Sequence, residues 1–198
     1  YHFHSYTNAI AHAEIGPMII EKGDGIYVFD NQGTKYIEAM AGLWSAALGF
    51  SEERLIKAAS DQMRELPFYH NFTHKSHTKA IDLAEKLVSI APVPMSKVFF
   101  TNSGSEANDT VLKMIWYRSN ALGKPDKKKI ISRIRGYHGV TLASGSLTGL
   151  PYNHKSFDMP IDRILHTTCP HYWREGEDGE SEEAFATRCA NDLETMIL

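Results

Sequence analysis

The sequence predicts an α/β fold with a mainly parallel sheet, and three observations support this prediction. Short apolar runs of strand length alternate with longer segments whose apolar residues recur at helical spacing. Clusters of glycine, proline, serine and asparagine separate these segments. A hydrophobic content of 42% and a charged content of 23% are typical of an ordinary globular domain. Strands that alternate with helices in this way are expected to run parallel in one sheet.

The helices and strands follow from the spacing of apolar residues and from the residues that interrupt it. Helices are predicted over residues 51–66, 79–90, 105–122 and 182–198, with a short helix between 141 and 149. Strands are predicted at 98–100, 129–134 and 165–167.

The first part of the chain has a different pattern, which predicts a small α+β portion. Residues 26–29 and 34–37 are expected to pair as a β-hairpin around a turn at 30–33. Residues 41–50, which are mostly small and include glycine, are predicted to be a loop.

Composition and charge exclude several classes of function. The net charge of −3 gives no reason to expect a nucleic acid or an anionic membrane as a partner. No apolar run is long enough to span a membrane, and the first residues lack the pattern of a signal peptide. Two cysteines do not make a disulfide framework, so a reducing cytoplasm is the expected location.

Residues 98–109 (VFFTNSGSEAND) are the most informative stretch of the chain. A strand is expected to run into a serine- and glycine-rich turn that opens a helix, where unpaired amides and the helix dipole favour an anion. Gly104 has no Cβ and lets the backbone approach that anion closely. The spacing matches neither GxxxxGK[ST] nor GxGxxG, so the expected phosphate ligand is not a nucleoside triphosphate or a dinucleotide. Ser103 and Glu106 also have the spacing of a capping box, which only stabilises a helix start.

Residues 136–139 (GYHG) follow a second predicted strand, with a glycine on each side of Tyr137 and His138. In open α/β sheets, ligands lie beyond the carboxyl ends of the strands, where both this turn and the Ser103 turn are expected. A tyrosine on such a turn can stack on a flat ligand, although aromatic side chains also commonly pack in a core.

Residues 70–77 contain three histidines, His70, His74 and His77, at spacings compatible with one helix face. No cysteine or carboxylate completes a tetrahedral set, and Pro67 together with the polar, aromatic run argues against a regular helix. No metal site is predicted here.

Residues 101–108 (TNSGSEAN) resemble the phosphate-cup motif of the class III aminotransferases, which are pyridoxal phosphate (PLP) enzymes of fold type I. The likeness extends over almost the whole chain, from residues 6–8 to 146–149 and beyond. It is greatest for the ω-amino acid or amine–pyruvate branch. The resemblance implies that residues 1–55 belong to the N-terminal segment of the small domain and residues 56–198 to the first, incomplete part of the PLP-binding large domain.

The resemblance also implies roles for individual residues. Cofactor binding is expected from Ser103, Gly104, Ser105, Tyr137 and His138, with Tyr137 stacked on the pyridine ring. A second group, which we call the pocket aromatics, is expected to shape the substrate pocket: Trp44, Phe72, Tyr152 and Tyr6. Phe72 is expected to act on the site of the neighbouring subunit. For each of the four, simple packing is the alternative.

The family holds its cofactor with a Schiff-base lysine that lies further towards the C-terminus than this chain reaches. None of the lysines here lies in that context. We therefore expect roughly the N-terminal half of a homodimeric aminotransferase, which has no catalytic residue of its own and is inactive alone. The expected reaction of the full-length form transfers an amino group from an amine or ω-amino acid to pyruvate or a similar 2-oxo acid. A non-catalytic phosphate-binding fragment and another fold type I reaction, such as decarboxylation or aminomutase chemistry, remain as alternatives.

Overall fold

The computed structural model describes all residues from Tyr1 to Leu198. They divide into two compact units, Tyr1–Ser89 (unit 1) and Ile90–Leu198 (unit 2), and each is described by itself. The domain boundary expected at residues 55/56, which rests on the family's small and large domains, stays a prediction.

Unit 1 combines a small antiparallel sheet with four helices. In chain order these are α1 (Ala9–Ile15), β1 (Ile20–Asp24), β2 (Tyr27–Asp30), β3 (Lys35–Ile37), α2 (Ala41–Trp44), α3 (Glu53–Glu65) and α4 (Thr78–Ile90).

The predicted hairpin is confirmed as β2 and β3, and β1 adds a third strand that the sequence analysis did not predict. Asp30 forms the turn, because its Oδ1 accepts the amides of Gln32 and Thr34 at 2.9 and 2.8 Å. The hydroxyl of Tyr36 donates to the other oxygen of Asp30 at 2.9 Å and ties the two strands together.

The prediction of a plain loop over residues 41–50 is partly wrong. Residues Ala41–Trp44 form one turn with positive φ at every residue, from 48° to 67°. The start of α3 also differs from the prediction, because Glu52 rather than Ser51 caps it by accepting the Arg54 amide at 3.1 Å. Ser51 is engaged elsewhere, since its hydroxyl donates to Asp24 at 3.0 Å.

Unit 2 contains α5 (Gly104–Ala121), β4 (Ile130–Arg133), α6 (Leu142–Leu147), β5 (Ile164–Thr167), α7 (Tyr172–Glu175) and α8 (Glu182–Ile197). β4 and β5 pair in parallel, with Ile130 opposite Ile164 and Arg133 opposite Thr167. The predicted α/β alternation and the parallel pairing are therefore confirmed.

The strand predicted at residues 98–100 is wrong for this chain. These residues form no strand and belong to neither of the two sheets. An apolar sequence favours a strand, but a strand also needs a hydrogen-bonded neighbour. Phe99 and Phe100 are accordingly exposed.

The core of unit 2 lies where α5, α6 and the parallel strands meet. Leu112, Leu147 and Ile164 form its buried centre, and the apolar side chains packed around them are Trp116, Ile130, Ala143 and Ile161. Three small polar residues at or beside α6 are completely buried: Ser144, Ser146 and Thr148. This short helix therefore fixes the residues that precede it against α5.

Candidate functional site

Ser103 caps the N-terminus of α5, but the capping box expected with Glu106 is incomplete, because Glu106 binds the amide of Asn102 and not that of Ser103. The Ser103 hydroxyl oxygen accepts the Glu106 amide at 3.1 Å, and the Glu106 carboxylate accepts the Asn102 amide at 2.8 Å. The helix start is therefore stabilised from both directions.

Capping leaves the next two amides available. Gly104 and Ser105 occupy the first two positions of an 18-residue helix, where backbone N–H groups have no intrahelical partner. Apart from the adjacent residues and the backbone of α5, no atom lies within 4 Å of the position that a Cβ would take at Gly104, so the space on that side of the residue is open. We call residues 103–105 the phosphate cup, because free amides at a helix N-terminus favour an anion.

The Ser105 side chain adds a hydroxyl to the cup. Its oxygen accepts the Val140 amide at 3.0 Å, which occupies one lone pair and leaves the hydroxyl proton available as a donor. This close approach depends on Gly139, whose φ is 130°. A Cβ at Gly139 would collide with the hydroxyls of Ser105 and Ser144.

Residues 135–140, which we call the tyrosine turn, connect β4 to α6 next to the cup. Arg135 starts the turn with a φ of 68°, and its amide donates to the Gly149 carbonyl at 2.7 Å. The Gly149 amide donates in turn to the Gly136 carbonyl at 2.8 Å. Tyr137 is 58% exposed, so it is not a core residue and the face of its ring is accessible. Its stacking role stays a prediction.

His138 is held through its backbone. Its amide donates to the Thr148 hydroxyl at 2.9 Å, and its carbonyl accepts the Asn108 side-chain amide at 2.6 Å. His138 therefore helps to position the tyrosine turn between α5 and α6.

The sequence analysis missed Asn108, Asp109 and Thr148 as residues that organise this site. Asp109 Oδ1 accepts the Thr141 hydroxyl at 2.8 Å and the Ser144 amide at 2.9 Å. A signal was present, because Ser105, Asn108 and Asp109 have the i, i+3, i+4 spacing that places polar side chains on one helix face.

The pocket aromatics are all exposed, so none of them packs in a core of this chain. Tyr152 lies in a 3-10 turn of unit 2, Pro151–Asn153. The exposed fractions are 77% for Trp44, 74% for Phe72, 68% for Tyr152 and 66% for Tyr6. Their assignment to a substrate pocket stays a prediction.

The histidines at 70–77 make local hydrogen bonds. His70 Nδ1 accepts the Phe72 amide at 3.2 Å, and His77 Nδ1 accepts the Ala80 amide at 3.4 Å near the start of α4. The structure contains no group of three or more potential ligand side chains arranged to hold a metal ion. None of its helices combines the length and apolar character that crossing a membrane requires.

The acidic segment before α8 is fixed by an ion pair. Arg188 donates to both oxygens of Glu180, at 2.9 and 2.7 Å, and its guanidinium also reaches the Glu175 carbonyl at 3.0 Å. The hydrogen bonds that Glu180 accepts from Arg188, and to a lesser extent from the Glu177 amide, lower the pKa of Glu180 to about 2. Arg135 of the tyrosine turn pairs with the Glu175 carboxylate at 2.9 Å, which links the turn to the same segment.

Comparison with known proteins agrees with this geometry. The model of the family "Aminotransferase class-III" matches residues 9–197. A curated relative, the probable gamma-aminobutyrate transaminase 2, mitochondrial, of Oryza sativa subsp. indica, is 56% identical over 186 residues, which are 93% of this chain and 37% of the relative. The chain thus spans less than half the length of such relatives.

Solved structures give the same result. A thermostable omega transaminase 4-fold mutant from Pseudomonas jessenii is 68% identical with a TM-score of 0.97, over 100% of this chain and 44% of the other. The omega transaminase of Pseudomonas jessenii in complex with PMP is 67% identical with a TM-score of 0.97, over the same shares. These likenesses confirm the predicted fold type I architecture. The chain belongs to the class III aminotransferase family.

Proposed function

We propose that this chain supplies the cofactor-phosphate cup and part of the substrate pocket of a PLP-dependent transaminase. The proposed reaction of the whole protein moves an amino group from an amine or ω-amino acid to pyruvate or a similar 2-oxo acid. The relatives named as gamma-aminobutyrate transaminases and omega transaminases support an amine or ω-amino acid as donor.

One observation carries the proposal: the phosphate cup and the tyrosine turn are joined by a direct hydrogen bond. The Val140 amide donates to Ser105 Oγ at 3.0 Å, so free amides for an anion lie next to the turn that bears an accessible aromatic ring. A ligand that has both a phosphate and a flat ring matches this pair of features.

The residues of the site fit PLP. The amides of Gly104 and Ser105 and the hydroxyl of Ser105 would hold the phosphate, and open space beside Gly104 admits it. Tyr137 would stack on the ring, and Trp44, Phe72 and Tyr152 would shape the pocket and exclude water. When bound, PLP supplies the electron sink that makes amino transfer possible. The residues of this chain bind and orient that group.

The covalent attachment requires a lysine, and we propose that none of the lysines of this chain provides it. We propose that a further part of the polypeptide supplies this lysine, and that the 198 residues alone bind the cofactor without catalysis. We also propose a homodimer in a reducing, cytoplasmic environment; both cysteines are free thiols, which is compatible with that location.

The test is alanine formation from pyruvate and a primary amine or ω-amino acid by the full-length protein. A decarboxylase or an aminomutase would leave pyruvate unconsumed. Borohydride reduction of the full-length protein with PLP is expected to give a stable lysine adduct. Its absence would favour the alternative of a non-catalytic phosphate-binding protein.

Ser105→Ala tests the site itself, with Ser181→Ala as a matched control. Ser181 caps α8 by accepting the Ala184 amide at 3.1 Å and has no role in the cup. Ser105→Ala is expected to weaken PLP binding by about tenfold, because a hydrogen bond to a charged group is lost. Unchanged PLP affinity in Ser105→Ala would contradict the assignment of the cup.

A further inference from the structure

Three side chains on one face of α5 hold the segment between β4 and α6. Ser105 accepts the Val140 amide, Asn108 donates to the His138 carbonyl, and Asp109 binds the first turn of α6. The helix that presents the free amides of the cup therefore also fixes the tyrosine turn.

The Asp109 contact joins two helices through a single carboxylate oxygen. Asp109 Oδ1 accepts the hydroxyl of Thr141, the N-cap residue of α6, and the amide of the completely buried Ser144. A carboxylate at a helix N-terminus is favoured by the helix dipole, and hydrogen bonds to an ionised acceptor are stronger than neutral ones. Asp109 thus fixes the start of α6 against α5.

Val140 immediately precedes Thr141, so the position of Val140 depends on this contact. The Val140 amide donates to one lone pair of Ser105 Oγ. This hydrogen bond limits rotation of the Ser105 hydroxyl. A serine in the first turn of a helix otherwise exchanges among local backbone partners. The Val140 contact therefore restricts the directions in which the Ser105 proton can point.

We propose that Asp109 is a positioning residue for the cofactor phosphate: by fixing Thr141 and Ser144 it holds the Val140 amide on Ser105 and so orients the Ser105 hydroxyl towards the phosphate. The proposal rests on the proposed function, in which the phosphate lies at the cup. Asp109 itself acts through Ser105 and need not touch the cofactor.

The experiment measures the dissociation constant of PLP and the visible circular dichroism of bound PLP for variants of the full-length protein. Asp109→Ala is expected to raise the dissociation constant several-fold, up to the value of about tenfold expected for Ser105→Ala, and to change the dichroism band, because both hydrogen bonds are lost. Asp109→Asn, whose side-chain carbonyl still accepts, is expected to remain within about threefold of the unmodified protein.

Asp192→Ala is the matched control. Asp192 is also an aspartate on a helix that accepts a threonine hydroxyl, that of Thr168 at 2.6 Å, but it lies on α8. Its removal is expected to leave the PLP affinity and the dichroism unchanged.

A double-mutant cycle tests whether Asp109 acts through Ser105. In the Ser105→Ala background, Asp109→Ala is expected to have little further effect on the dissociation constant, because the group that it positions is gone. Additive effects would overturn the proposal, as would an unchanged affinity in Asp109→Ala.

Thr141→Val keeps the proposal testable if Asp109→Ala fails to fold. It removes one donor to Asp109 at almost constant volume and is expected to raise the dissociation constant several-fold, and an unchanged value would overturn the proposal. Failure of the unmodified protein to bind PLP is a different outcome, which would refute the proposed function itself.

Discussion

In unit 2 the predicted cofactor residues are held by buried, hydrogen-bonded polar side chains, whereas the predicted pocket residues of unit 1 are exposed aromatic rings. Ser144 and Thr148 are completely buried and bind the tyrosine turn and the start of α6, while Trp44 and Phe72 are mostly exposed. The apolar cores differ in the same direction. Val28 is the one buried apolar side chain of unit 1, and unit 2 has four: Leu112, Leu147, Ile164 and Phe185.

The comparison teaches that different physical causes position the predicted functional residues of each unit. The geometry of the phosphate cup is fixed by hydrogen bonds within unit 2, among them those that the amides of Glu106 and Val140 donate to Ser103 and Ser105. The aromatic residues of unit 1 are not fixed by burial, so we expect their conformation to depend on a bound substrate. Cofactor affinity should therefore respond to changes in unit 2, and substrate selection to changes in unit 1.

The largest expected effect is on stability, from removal of core side chains in each unit. Leu112→Ala should lower the free energy of unfolding of the full-length protein by about 2–5 kcal/mol, because it leaves a cavity at the centre of a cluster. Val28→Ala should cost less, because Val28 has a smaller side chain and is not part of that cluster. Urea unfolding of both variants checks this order, and equal losses would contradict the difference between the two cores.

The next effect concerns the backbone at Gly139. Gly139→Ala should cost about 1–3 kcal/mol of stability and also weaken PLP binding, because the new Cβ would displace Ser105 and Ser144 at a strained φ of 130°. Gly123→Ala is the control, since Gly123 also has a positive φ, 67°, but open space around it. Gly123→Ala should lower stability without changing the PLP affinity. A loss of PLP affinity in both variants would show that backbone strain, and not displacement of Ser105, weakens PLP binding.

A pH dependence is expected from Glu180, whose pKa is lowered to about 2, chiefly by hydrogen bonds from Arg188. A carboxyl whose pKa is lower in the folded state contributes stability above its ordinary value near 4.5, and this contribution is lost as the pH falls from there towards 2. The stability difference between the unmodified protein and Glu180→Gln should thus be constant at neutral pH and shrink in this acid range. Thermal unfolding across the range measures it, and a constant difference down to pH 2 would contradict the ion pair's role.

The smallest expected effect on the cofactor comes from the aromatic residues of unit 1. Trp44→Ala and Phe72→Ala should change PLP affinity by less than about twofold, while KM for the amine donor changes several-fold, because pocket walls act on substrate. Steady-state kinetics and PLP titration on the same variants separate the two effects. A loss of PLP affinity that matches Ser105→Ala would remove the distinction between the units.

Much of this arrangement could be predicted from the sequence, because local signals dominate it. Ser103, Gly104 and Ser105 are adjacent in sequence, so helix-start chemistry predicts the cap and the free amides, whereas a phosphate as their ligand rests on the family resemblance. The Asp30 turn and the parallel pair β4 and β5 also follow from local patterns and alternation.

Other features could not be predicted from the sequence, because they depend on distant partners. The Asp109 contacts join residues 32 and 35 positions apart, and the pairing of β1 with β2 could not be read from alternation. At residues 98–100 the local apolar pattern predicts a strand, but no strand forms because no neighbouring strand pairs with these residues.

The most direct test of the central claim is a crystal structure of the full-length protein with PLP bound. The phosphate oxygens should lie about 3 Å from the amides of Gly104 and Ser105 and from the Ser105 hydroxyl, with the ring against Tyr137. A phosphate bound away from Gly104 and Ser105 would contradict the account.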